Sequence, residues 1–186
     1  MAVKTFTTGE VLTASDTNTY LANAGLVYIT STSFTSGSTV SINNCFSATY
    51  DAYRIVLYNL SQSGANATYL KLRASGTDSS ASYDTAGRYV FYTGAGSTDI
   101  QGTGATTGWQ IGAGGNTTKS GFSLDIFDPY NTRWTTMVNS AATYDTWFSI
   151  AGRHTANTSY DGFTLLAAGG TTFTTGTVIV YGYRKA

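Results

Sequence analysis

From residue 26 onward, large apolar side chains recur at every second position. Tyr53, Ile55 and Leu57 alternate with Arg54, Val56 and Tyr58. Leu70 and Leu72 alternate with Lys71 and Arg73, and Phe122, Leu124 and Ile126 with Ser123 and Asp125. Successive side chains of a strand point to opposite faces, so a period of two predicts strands with one buried face. The pattern predicts strands at 26–30, 38–42, 53–60, 68–74, 88–92, 107–111, 121–127, 133–138, 146–153, 162–167 and 177–183. Turn dipeptides separate them: Ser63-Gly64, Ser75-Gly76, Asp128-Pro129, Asp161-Gly162 and Gly169-Gly170. Eight to eleven short strands at this spacing predict an all-β fold, a β-sandwich or jelly roll, over 26–186. The strands at 53–60 and 177–183 are apolar on both faces. They are expected at the centre of a sheet, or with one face against another subunit.

Residues 1–25 follow a different pattern. Phe6 to Gly9 reads as an extended arm with a turn. Thr13 and Asp16 are spaced as a capping box, and Gly25 stands where a helix C′ residue belongs. One short helix is predicted at about 14–23. Leu12, Tyr20 and Leu21 are too few to bury it, and so short a helix is marginal in water. The segment therefore needs a docking surface, on the main domain or on another chain. Phe6, Val11, Leu12, Tyr20 and Leu21 are its candidate anchoring residues. A second departure is the Gly-rich stretch 93–121. It reads as a long loop that is functional or held by a neighbour.

Composition sharpens this picture. Charged residues make up 11 % of the 186-residue chain, less than half the usual share. Their place is taken by 34 Thr and 19 Ser, and Glu10 is the only glutamate. Thr and the 14 Tyr suit a pleated surface. Net charge is zero and the basic residues are scattered, which excludes the electrostatic footprint of a nucleic-acid binder. Such an uncharged surface suits a protein packed in an assembly or touching neutral glycans. The first residues carry no apolar secretory core, and no stretch has the roughly 20 apolar residues of a membrane helix. Neither export nor a membrane is expected.

Chemistry-bearing residues are sparse. Cys45 is alone and reads as a small buried side chain. His154 is the only histidine, and no activating signature surrounds either residue. Without clustered His and Cys no nitrogen- or sulfur-ligated metal is expected. Asp128, Asn131, Asp145 and Asp161 fall in predicted loops, but none forms a spaced calcium loop. Asp84, Asp99 and Asp125 fall at turns or solvent-facing strand positions, where Asp bonds its own backbone. The run from Gly102 to Gly108 lacks the spacing and the following helix of a phosphate-binding loop. No catalytic residue and no cofactor is expected. Trp109, Trp134 and Trp147 fit a core, a subunit interface or a carbohydrate-stacking surface. Tyr83, Tyr130 and Tyr160 fall in predicted loops and are the candidates for glycan contact.

The segment from Phe6 to Leu21, with Gly9-Glu10-Val11-Leu12-Thr13-Ala14 at its centre, resembles the start of many structural proteins of tailed bacteriophages. The closing run from Gly176 to Arg184 and the segment from Tyr50 to Leu57 are similar to parts of the same proteins. Together these cover about a quarter of the chain. The resemblance implies a virion component, such as a capsid-decoration (cement) protein or a tail or fibre appendage. It also implies a homotrimer whose symmetry covers two-sided strands, other virion proteins as partners, and location in the particle. It carries no catalytic residues. The alternative expectation is a carbohydrate-binding module for host attachment. A glycan-cleaving enzyme stands behind both.

Overall fold

In a computed structural model, the described residues are 7–16, 25–105, 107–115, 119–143 and 145–185. They contain one helical turn, α1 (Ala14–Asp16), and thirteen strands. The strands are β1 (Leu26–Phe34), β2 (Thr39–Ile42), β3 (Ala52–Gln62), β4 (Asn66–Ala74), β5 (Thr77–Asp78), β6 (Tyr83–Phe91), β7 (Ser97–Ala105), β8 (Trp109–Gly114), β9 (Ser120–Phe127), β10 (Thr135–Ala142), β11 (Thr146–His154), β12 (Gly162–Ala167) and β13 (Phe173–Tyr183). An antiparallel eight-stranded sheet runs in the order β1-β13-β3-β9-β10-β11-β6-β7. It packs on a five-stranded sheet in which β2, β12 and β4 are neighbours. The free edge of β4 carries β8 along its first half and β5 at its end. The fold is a β-sandwich, as the period of two predicts.

The core lies where the inward residues of both sheets meet. Tyr53, Ile55, Leu57, Phe122, Leu124, Ile126, Val178 and Val180 of the large sheet are buried with Leu70, Leu72, Phe163 and Leu165 of the small one. Each large apolar side chain so covered contributes about 1.5–3 kcal/mol. The two strands expected at the centre of a sheet, β3 and β13, pair with each other inside the large sheet. Polar groups tie the layers at chosen points. Asn139 of β10 donates its side-chain amide to the Ile111 carbonyl of β8 at 2.6 Å. The Tyr83 hydroxyl, at the start of β6, accepts the Leu72 N–H of β4 at 2.8 Å.

All eleven predicted strands are present, most of them longer than predicted. The stretch 93–121 is corrected. It is not one long loop, because β7 and β8 lie within it. β7 closes the edge of the large sheet against β6, and β8 pairs with β4. The predicted helix is described only over α1. Its start is the capping box read from the sequence: the Thr13 hydroxyl accepts the Asp16 N–H at 3.1 Å, and the Asp16 carboxylate accepts the Thr13 N–H at 3.1 Å. The rest of that helix, residues 17–23, lies outside the described residues.

Candidate functional site

Strand register sets what each end of the sandwich carries. β1 begins, and β13 ends, beside the loops 43–51, 75–82, 128–134 and 155–161. The leading segment enters at this same end, where the Arg184 N–H donates to the Gly25 carbonyl at 3.3 Å. Within that segment, residues 7–10 form a turn: the Glu10 N–H reaches the Thr7 carbonyl, and the Glu10 carboxylate accepts the Thr7 N–H at 3.1 Å. Between this turn and the capping box stand Val11 and Leu12, 78 % and 50 % exposed. Of the other anchoring candidates, Phe6, Tyr20 and Leu21 lie outside the described residues.

The loop tyrosines do not form a contact surface. Tyr130 is 39 % exposed, but Tyr83 and Tyr160 are buried, so the expectation of glycan contact is corrected for both. Tyr83 is the first inward residue of β6, and Tyr160 packs behind His154. The sequence hid this because Thr85 and Gly87, the next inward residues of β6, are not apolar. Alternation therefore places the start at residue 88, five residues after the observed one. The three tryptophans are also dispersed. Trp109 is buried against Tyr83, whereas Trp134 and Trp147 are exposed at opposite ends of the large sheet.

His154 and Tyr83 form the centre of an aromatic box with Trp109 and Tyr160. The His154 ring lies 4.5 Å from Tyr83 and 5.2 Å from Tyr160, both edge-on. Its Nε2 is 2.9 Å from the Ser79 hydroxyl, and its Nδ1 is 3.4 Å from the Tyr160 hydroxyl. Burial pushes the imidazole below its ordinary pKa, against the Ala81 and Ala156 carbonyls, which favour the charged form. A nucleophilic serine needs a base that a third group orients and whose charged form is stabilised. Here a phenol and carbonyls surround the ring, burial outweighs the carbonyls and disfavours the charged form, and the nearby Asp78 is engaged by Arg73 and Thr164. The cluster reads as a latch between β11 and the loop after β5. Cys45 is elsewhere, its sulfur 3.9 Å from the Ile42 carbonyl, and burial raises its thiol pKa. Of the loop carboxylates, Asp51 and Asp128 approach each other, both accepting the Asn131 amide at 3.4 and 2.8 Å, and the others lie apart. Asp128 bonds Asn131 and Arg133, Asp161 accepts the Ser75 N–H, and Asp145 sits at the other end of the sandwich.

The outer face of the large sheet is uncovered among the described residues and shows an ordered cross-strand pattern. One row runs through Ser31, Ile179, Val56, Ser123, Ser140, Ser149, Arg88 and Asp99, one residue from each strand. The next runs through Tyr28, Tyr181, Arg54, Asp125, Val138, Ala151, Ala86 and Gln101. On its β1 side the face is aromatic and aliphatic, with Tyr28 and Tyr58 exposed. At its middle, Arg54 donates twice to Asp125 at 2.8 and 2.7 Å, and Tyr183 adds a third bond at 2.8 Å. Burial raises the Asp125 pKa, but these donors outweigh it and hold the carboxyl below its ordinary value. On the β7 side a depression of about 390 Å³ lies over Ala86 and Ala151, beside Asp84 and Arg153. No helix among the described residues is long and apolar enough to cross a membrane.

No protein-family model matches the chain, and no curated protein matches it significantly.

Proposed function

We propose that this chain is a non-enzymatic structural component of a bacteriophage virion, an exposed capsid-decoration or tail appendage that is held by its leading segment and assembled as a trimer. The observation that carries the reading is the exposure of Val11 and Leu12 between two locally fixed turns. Fixed apolar side chains in water are suited to a partner, and docking both would contribute about 3–6 kcal/mol. The resemblance of this segment to phage structural proteins names the kind of partner. Among the described residues no carboxylate orients the Ser79–His154 pair, which supports a non-enzymatic reading. Zero net charge and the exposed Tyr28 and Tyr58 support association of copies through the β1 side of the outer face.

The test replaces both exposed residues, V11D with L12D, in the full chain. Thermal unfolding should be unchanged, because neither side chain is packed in the sandwich. Co-sedimentation with assembled particles should fall at least tenfold. Wild-type occupancy by the double variant contradicts attachment through this segment.

A further inference from the structure

The depression on the β7 side of the outer face has the construction of a sugar site. Its floor is Ala86 of β6 and Ala151 of β11, which face each other across the strand pair. Two ion pairs stand on either side of that floor. Arg153 Nε donates to Asp84 at 2.7 Å on one side, and Arg88 Nε donates to Asp99 at 2.8 Å on the other. The Arg153 guanidinium also lies over the ring of Trp134, 5.4 Å from its centroid, and Trp134 remains 49 % exposed. The Gly104 N–H donates to the second oxygen of Asp84 at 2.8 Å. Each arginine uses only its Nε within these pairs. Its terminal amino groups have no hydrogen-bond partner among the described residues.

We infer that this depression binds a pyranose unit of a neutral glycan. An apolar sugar face needs a flat apolar floor, and Ala86 and Ala151 provide one. Sugar hydroxyls need donors and acceptors around the rim, and the arginine amino groups and aspartate oxygens provide both. Asp84, itself tied to the Gly104 N–H, holds Arg153 in place, so little freedom of that side chain is lost on binding. Two positive and two negative groups cancel, which favours an uncharged ligand over an acidic sugar. Bonds from the Gly104 N–H and from Arg153 lower the Asp84 pKa, so it remains an acceptor at neutral pH. The depression is open to solvent, so one sugar ring lies on its floor. The depression lies six strand spacings, roughly 30 Å, from β1, and none of residues 7–16 lines it.

Saturation-transfer NMR on the full chain tests the inference with neutral gluco-, galacto- and manno-tetrasaccharides as probes and a sialylated oligosaccharide as comparison. At least one neutral probe should give transfer. The signal should fall at least tenfold in A86L, which fills the floor, and in R153M, which removes the rim donors on the Asp84 side. Y130A, at a loop outside the depression, should bind as wild type. Near-UV circular dichroism checks that each variant is folded, and A86L changes only an exposed position. No transfer from any neutral probe overturns the inference. So does transfer only from the sialylated sugar, retention of binding in folded A86L, or loss confined to Y130A.

Discussion

The hydroxyl of Tyr83 accepts the backbone N–H of Leu72 at 2.8 Å, joining the first residue of β6 in one sheet to β4 in the other. It stands where β4 passes from β8 to β5, and the Ser79 N–H fills the Leu72 carbonyl at 2.8 Å beside it. The phenol therefore completes a ladder inside the sandwich. Replacing it, Y83F, leaves the buried Leu72 N–H without a partner and should cost about 1–3 kcal/mol. Urea unfolding measures this. An unchanged midpoint would show that the hydroxyl has no structural role.

His154 couples the same region to pH. Its imidazole titrates at about 6.5 when unfolded and lower when folded, because it is buried. The unfolded chain therefore takes up the proton first as pH falls. Stability is full above about pH 6.5 and declines as pH falls toward the folded value, with a slope of at most about 1.4 kcal/mol per unit. Unfolding free energies at pH 7.5, 6.5 and 5.5 should trace this decline. H154N should be less stable at pH 7.5 but flatter over this range. Equal slopes in both proteins would contradict the assignment.

Gly152 and Gly102 line the same depression yet predict opposite outcomes. A methyl group at Gly152 would lie 2.7 Å from the Trp109 indole, inside the core. G152A should therefore destabilise by about 1–3 kcal/mol, as overpacking does. At Gly102 nothing lies within 4 Å of the added atom, so G102A should be close to neutral. Thermal unfolding of the two variants checks the difference.

Self-association should run through the β1 side of the outer face. Sedimentation equilibrium of the full chain should give three times the chain mass. Y28E with Y58E should return it to monomer without altering its circular dichroism, since both side chains are exposed. A monomeric wild type would remove the trimer from the account.

Legibility in the sequence followed burial. Strands such as β9, with Phe122, Leu124 and Ile126 all inward, announce themselves by alternation. β7 does not. It is an edge strand whose only large apolar residue is Ile100, so its ladder to β6 leaves no period of two. β5 is two residues long and leaves none either. The Thr13–Asp16 cap was legible because both of its bonds lie within four residues. The depression was not, since Asp84, Arg88, Asp99 and Arg153 come from three strands and meet only through register. Each aspartate was legible as solvent-facing, but its arginine partner was not.

Attachment through the leading segment is decided by imaging intact particles at a resolution that traces the chain. Many copies of the sandwich should stand on the particle, with Val11 and Leu12 buried against a neighbouring virion protein and the β7 edge facing outward. Particles that lack the chain, or that carry it with Val11 and Leu12 still in solvent, contradict it.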